Sequence, residues 1–477
     1  MRSWYVAKFI MVIAGGTKLL NAKRNTSKGW LLIVPALLLV GLLTVLLVQR
    51  MEGKPPVISL TLESPALGAN QTLTVHVADA KSGIRKVRVG MLKDGNEIEL
   101  LDKVYPPAGV FQGGSVHEDT LQIPFEPHAR DVKDGKAVLR LVARDFSWRH
   151  WGKGNVRTEE QQVIIDTRPP AIDVLTGANY FEQGGAGVVI YKLSEDCRTS
   201  GVSIGKDFYP GRNGYFADPH IYLAMVAVGF RQGPHTPVYV TGTDLAGNEN
   251  RVGLPHLISA RQFRHDKIQI TDNFLDLKMP GFANQVEVAP GASNLDIFLK
   301  VNSDLRRANY ESVAKLTAHS DAKIYWKGDF LRLPAAARRA GFADHRAYYY
   351  KGRKLDEADH MGMDLASLEH SPVPAANNGK VVFADTLGIY GGTVLIDHGM
   401  GLFSMYSHMS YIGVTPGQMV KKGQTLGKTG MTGLAGGDHL HYSMLVDQTW
   451  INPIEWWDAH WVRNNITEKI QAVKQQS

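Results

Sequence analysis

Two short pieces of the chain hold residue types that could do chemistry together, His360-Met-Gly-Met-Asp364 and His439-Leu-His441. Between them they offer imidazoles and a carboxylate for a divalent metal, with one histidine to spare. Zinc in hydrolytic sites takes three protein ligands of this kind and leaves a fourth position to water, whose pKa it lowers to about 7. Side chains two apart on a strand point to the same face, so His439 and His441 can reach one centre while Leu440 turns into the core. His360 and Asp364 are four apart, which also suits a helix, but Gly362 and the apolar Met361, Met363 and Leu365 favour a short strand or bend. Each piece alone is a common pattern. Their weight comes from standing in one chain with the segment between them.

That segment is a series of short alternating runs punctuated by glycine and proline: Gly379-Lys-Val-Val-Phe, Gly391-Gly-Thr-Val-Leu-Ile-Asp-His-Gly399, Leu402-Phe-Ser-Met-Tyr-Ser-His408-Met, and Val414-Thr-Pro-Gly-Gln-Met-Val-Lys-Lys-Gly423-Gln-Thr-Leu-Gly427. Runs of this length, rich in Val, Ile, Tyr and Thr, predict a compact antiparallel β unit. The Gly-Gln-x-Val-Lys-Lys-Gly pattern also occurs in biotinyl and lipoyl hairpins, but no lysine here stands at an exposed turn in a carrier motif.

Residues from about 342 to 457 resemble the lysostaphin-type or LytM-type zinc metallopeptidases, which cut peptide bonds in bacterial cell-wall peptidoglycan. The motifs come in order: His-x-Gly-x-Asp at His360 to Asp364, Tyr-x-His at Tyr406 to His408, the Gly-rich Gly427-Lys-Thr-Gly430-Met-Thr-Gly433, His-x-His at His439 to His441, and Asn452-Pro453. The resemblance implies Zn²⁺ as cofactor, with His360, Asp364 and His441 as its ligands. It implies catalytic roles for His408 and His439, which in this family help activate water and stabilise the oxyanion. The chemistry is consistent: charge growing on the carbonyl oxygen needs a metal or an imidazole N–H, and the leaving amine needs a proton donor titrating near neutrality. Spacing leaves open which histidine is the base. The chain departs from the family where Gly436-Gly437-Asp438 replaces the usual proline before His-x-His; Asp438 is expected to be a surface turn residue. His398, at a strand end, is expected to be structural, and His345, His370 and His460 have no partner at ligand spacing.

The amino terminus decides where such chemistry would occur. Trp30 to Val48 is 19 residues without a charge, and at about 1.5 Å per residue such a helix spans about 28 Å, close to the hydrocarbon thickness. The run is longer than a signal-peptide core, and no small-x-small cleavage site follows it. Residues 1–28 carry Arg2, Lys8, Lys18, Lys23, Arg24 and Lys28 and no acid, so the positive-inside rule holds this tail in the cytoplasm. The expectation is a single-pass protein of the bacterial cytoplasmic (inner) membrane with its catalytic domain periplasmic or extracellular. The chain carries +7 overall, but this tail holds six of the 53 Lys and Arg, which leaves 47 against 46 acids. The exported part is nearly neutral, which argues against nucleic acid as a partner. A single cysteine, Cys197, excludes an intrachain disulfide.

The expected fold class is mainly β: a transmembrane helix over 29–49, two immunoglobulin-like β-sandwiches over 56–168 and 169–260, a mixed connecting segment over 261–341, the antiparallel peptidase domain over 342–457, and a helix over 458–477. A weak repeat supports the sandwiches: Ser82-Gly-Ile84 and Val138 to Asp145 in the first copy answer to Ser200-Gly-Val202 and Pro237 to Asp244 in the second. The junction Ile164-Ile-Asp-Thr-Arg-Pro-Pro-Ala-Ile172 resembles the linker between tandem immunoglobulin-like domains of bacterial surface proteins. These modules read as spacers. In the connecting segment, Lys267–Ile270 and Ile297–Val301 look strand-like and Leu331 to Gly341 helical. The whole reads as a membrane-anchored zinc metalloendopeptidase hydrolysing peptidoglycan cross-links. The alternative is a non-catalytic regulator of other wall hydrolases; degenerate family members of that kind lose metal ligands, and this chain keeps all three.

Overall fold

Alternation of buried and exposed side chains makes the chain mainly β. Along Gly135–Asp145 every second residue is buried, as a strand with one face on a core requires. A computed structural model describes residues 30–109, 112–177 and 179–476. The basic stretch expected in the cytoplasm, residues 1–28, lies outside the described residues. Helix Trp30–Arg50 leaves nearly all its apolar side chains exposed. Its Trp30–Val48 part is long and apolar enough to cross a membrane, a test that a signal sequence also passes.

The chain divides into two compact units. The first, built on residues up to Glu63, Thr72–Phe125 and Lys136–Val163, contains a sheet of Val57–Thr61, Gln71–Ala78 and Glu118–Phe125 and a second sheet in which Gly135–Asp145 and Ile84–Lys93 are central.

The second unit holds the chemistry. Residues 172–253 form two sheets, one with Ala186–Leu193 beside Ile221–Ala227, the other with Cys197–Ile204 beside Val238–Asp244. Ile221–Ala227 is buried along its whole length. One of its faces packs on its own module, and one continuous core runs from there into the C-terminal sheet, joining Leu223, Met225, Leu365, Tyr406, Tyr442 and Trp456. Polar ties follow the same boundary: Arg212 pairs with Asp447 at 2.6 Å, and Tyr209 Oη bonds Thr449 Oγ1 at 2.9 Å.

The C-terminal sheet runs in the order Ala337–Ala340, Met363–Ala366, Leu440–Val446, Leu402–Met409, Gly392–Gly399, Gly379–Thr386, Met419–Val420, with Thr449–Ile451 also paired to Leu440–Val446. Leu365, Leu440, Tyr442 and Met444 face the continuous core. The opposite face carries Phe403, Met405 and Leu445 and is covered by a helical layer, Asp272–Lys278, Asn294–Lys300 and Arg306–Leu316, through Leu275, Phe298, Val301 and Val313. A small sheet of His265–Gln269, His345–Tyr350 and Arg353–Asp359 closes one side.

Two expectations for the connecting segment are corrected. Ile297–Val301 is not a strand, since Ile297–Lys300 belong to the helix Asn294–Lys300 and Val301 continues as a π-helical turn. Ser293 and Asp296 form a reciprocal capping box that starts this helix; a five-residue apolar run does not reveal its period. Leu331 to Gly341 is not helical either. Pro334 and the left-handed Ala335 (φ 50°) break it, and Ala337–Ala340 completes the sheet edge against Met363–Ala366.

Candidate active site

Register assembles the site. Met363–Ala366 and Leu440–Val446 pair antiparallel with Asp364 directly opposite His441, so both side chains stand on the sheet face turned from the continuous core. His360 follows the strand Arg353–Asp359 and is held by backbone bonds, its N–H on Asp344 O and its carbonyl accepting from Ala343 N. Three donor atoms converge: His360 Nε2 lies 2.9 Å from Asp364 Oδ1 and 2.9 Å from His441 Nδ1, and the latter two are 3.0 Å apart. All three residues are buried. Ligands on a tetrahedral zinc at about 2.0–2.1 Å would be about 3.3 Å apart, so a few tenths of an ångström of opening admits the ion.

The far side of each ring fixes its tautomer. His360 Nδ1 meets Gly341 O at 2.7 Å and His441 Nε2 meets Ser443 Oγ at 3.0 Å. With those nitrogens donating, the opposite lone pairs point at the shared centre. Asp364 Oδ2 accepts from Arg346 Nη2 at 2.8 Å, which leaves Oδ1 for the site. The glycine in His-x-Gly-x-Asp has a steric reason: a Cβ on Gly362 would lie 2.5 Å from Ser443 Oγ and 2.7 Å from His441 Nε2.

His408 reaches the site through a bulge. Strict alternation would put it on the face of Tyr406, which is in the continuous core. Instead Gly392 pairs with Met409 and Val394 with Tyr406, so Ser407 and His408 together oppose Thr393, and His408 takes a left-handed conformation at φ 64°. That extra residue re-aims the imidazole into the cleft. Its Nδ1 bonds Thr432 O at 2.8 Å, and its ring stands 4.9 Å from that of His439 and 5.7 Å from that of His441. His439 bonds Gly437 O through Nδ1 at 2.8 Å and brings Nε2 to 3.5 Å from Asp364 Oδ1. The five residues singled out in the sequence thus line one cleft.

Electrostatics differ among them. Burial favours the neutral acid of Asp364, but the neighbouring His360 and the hydrogen-bond contacts with His360, His439 and His441 hold its carboxyl well below the usual range. Burial, then the neighbouring His439 and His441, push His408 well below the ordinary imidazole value, and burial brings His441 to about 4. His439 is also opposed by burial, yet Asp364 raises it.

The cleft is a cavity of about 490 Å³ walled on one side by Phe274, Leu277 and Lys278 of the helical layer and by Ile270 just before it. Lys278 Nζ donates to Met431 O at 2.6 Å. Sequence reasoning missed Arg346, Arg306 and Tyr390, which also line it; none has a fixed spacing to the histidines that would mark it. His398 is structural as expected, fully buried between Asn378 O and Ser404 Oγ at 2.7 Å each. His345 and His370 do find partners: His345 bonds Asp359 at 2.9 Å, and the exposed His370 gathers with Glu369 and Asp438 at the rim. Asp438 is half-buried and accepts from His370 N at 3.2 Å.

Peptidase family M23 matches residues 358–453. The chain carries an M23 peptidase domain. Within it the sequence is similar to the DD-carboxypeptidase/endopeptidase Mpg of Neisseria meningitidis serogroup B, 35% identical over 95 residues that make up 20% of this chain and 22% of that protein. It is also similar to the peptidoglycan DD-endopeptidase ShyA of Vibrio cholerae, 37% identical over 136 residues, 27% of this chain and 31% of that protein. The matched stretches therefore span less than a third of these relatives. Among solved structures, the catalytic domain of lysostaphin from Staphylococcus simulans aligns at 25% identity and a TM-score of 0.24, over 28% of this chain and 98% of that one. The M23 domain is a metallopeptidase domain, and its His360, Asp364 and His441 form a candidate metal group.

Proposed function

We propose that the chain is a membrane-anchored zinc metalloendopeptidase that hydrolyses peptide cross-links of peptidoglycan. The observation that carries this reading is the buried triangle of His360 Nε2, Asp364 Oδ1 and His441 Nδ1, each with its outer atom already hydrogen-bonded. Two imidazoles and a carboxylate are the donor set zinc takes in hydrolases, and these three residues would hold it. When bound, zinc supplies the Lewis acid that polarises a scissile carbonyl and acidifies water.

The remaining chemistry falls to His408 and His439. Their Nδ1 hydrogens are committed to Thr432 O and Gly437 O, so each presents Nε2 to the cleft. His408, kept neutral by burial and by its imidazole neighbours, accepts the proton of the attacking water. His439, whose charged form Asp364 favours, donates to the developing oxyanion and the leaving amine. The names of the Neisseria and Vibrio relatives support DD cross-links as the bonds cut. The apolar helix Trp30–Val48 behind a basic tail supports an anchor with the enzyme outside the cytoplasm, and residues 56–168 and 169–260 are read as tandem immunoglobulin-like sandwiches. A regulatory role would go with lost ligands, and none is lost.

The test is the full chain, solubilised in detergent: it should bind about one zinc per chain and open cross-linked muropeptides in a mass-spectrometric digest, and His441→Ala should lose both. A wild-type protein that takes up no zinc, or that takes it up and cuts nothing, overturns the reading.

A further inference from the structure

The cavity around the donor triangle holds more positive charge than the metal group accounts for. Lys278, Arg306 and Arg346 all line it, and Asp364 is the single carboxylate among its lining residues. Arg346 is engaged by Asp364 and Lys278 by a backbone carbonyl. Arg306 is different. Its Nε donates to Asn302 O at 3.2 Å and its Nη2 to Asn302 Oδ1 at 2.7 Å, and it ion-pairs with no carboxylate among the described residues. Asn302 stands between it and an acid, passing its own amide to Asp356 Oδ2 at 2.7 Å. The remaining neighbours are the phenols of Tyr310, Tyr348 and Tyr390, and the Tyr390 ring lies 5.5 Å from that of His441. A guanidinium has five N–H donors; here two go to Asn302 and one more to the Tyr310 hydroxyl, and none meets a carboxylate among the described residues. A charge enclosed among aromatic rings without a counter-ion is costly unless an anion completes it.

We propose that Arg306 binds a free carboxylate of the substrate peptide beside the scissile amide, so that the enzyme prefers anionic stems to amidated ones. This rests on the metallopeptidase reading above. The residue comes from the helix Arg306–Leu316 of the covering layer, outside the M23 match at 358–453, so this layer contributes specificity as well as a wall. Guanidinium and carboxylate match as planar, bidentate partners. A site built to bond such a group rejects the analogue that lacks it far more strongly than an apolar pocket rejects a methylene.

The experiment compares two cross-linked muropeptide dimers that differ only in whether the carboxylates flanking the cleaved amide are free or amidated, using the zinc-loaded full chain. The wild type should favour the acid by about ten- to a hundredfold in kcat/KM, mostly through KM. Arg306→Gln should bring that ratio close to one, and Arg306→Lys should restore part of it. A wild type indifferent to amidation, or an Arg306→Gln protein that keeps the preference, overturns this inference and leaves the peptidase reading intact. Should Arg306→Gln fail to fold, the wild-type ratio and the lysine variant decide. A zinc-loaded wild type that cleaves neither dimer instead overturns the peptidase reading, and this inference with it.

Discussion

Ser443→Ala removes one hydroxyl and tests whether the outer hydrogen bond on His441 matters to the metal. For Nδ1 of His441 to offer a lone pair, its Nε2 must carry the proton, and that proton goes to Ser443 Oγ at 3.0 Å. Ser443 is fully buried, and Gly362 packs so closely that even a Cβ there would fall 2.5 Å from the hydroxyl. Water has no room to replace it, so the variant leaves an imidazole N–H unsatisfied and the ring free to turn. Losing an outer-shell partner weakens metal affinity about 10- to 100-fold, which is about 1.4–2.7 kcal/mol. The net charge does not change, so electrostatics cannot mask the effect. Competition with a chromophoric chelator measures the zinc Kd directly, and activity should return to within a few-fold when zinc is saturating. A Kd within twofold of wild type in a protein that melts normally would refute the reasoning.

Gly362→Ala should cut activity by at least about 100-fold, because a misplacement of about 1 Å near the reacting groups costs that much, and a crystal structure of the variant should show the His441 ring displaced; wild-type rates would contradict the steric account. Glu455, buried against Gly185 and accepting from Ala186 N at 2.9 Å, is raised to about 8 by burial. A folded pKa above the unfolded value near 4.5 means the stabilisation is fully present below about pH 4.5 and is lost as pH climbs to about 8. Unfolding free energy should therefore fall by about 4 kcal/mol over that range. Glu455→Gln should flatten the slope in denaturant titrations at pH 5 and pH 9; an unchanged slope contradicts the assignment. Deleting everything before residue 342 should give an insoluble or molten fragment rather than a more active one, because Leu223 and Met225 share a core with Tyr442 and Trp456. A folded, active fragment would show that this core is dispensable.

The donor set was legible because its signal is chemical. His360, Asp364 and His441 are residue types with few competing uses in that order, and the two-residue spacing that sets His439 beside His441 fixes a shared strand face. His408 was legible as a type but not in its placement: alternation points it into the core, and only the bulge against Thr393 turns it out. Gly362 looked like a bend residue, whereas it clears space for a side chain 79 positions later. The connecting segment misled in both directions, since Ile297–Val301 has no visible period and the helix-favouring Ala337–Ala340 is drawn into a sheet edge. Arg306 and Arg346 carry no pattern at all; their meaning comes from what the fold sets beside them. The repeat in residues 57–260 is visible in the sequence, whereas the burial of both faces of Ile221–Ala227, in a core shared with the C-terminal sheet, is not.

The most direct test is anomalous diffraction at the zinc edge from crystals of the zinc-loaded protein. One strong peak should lie about 2.0–2.2 Å from His360 Nε2, Asp364 Oδ1 and His441 Nδ1, on the cleft side facing His408 and His439. A peak bound elsewhere, or none at these three atoms, would contradict this metal site.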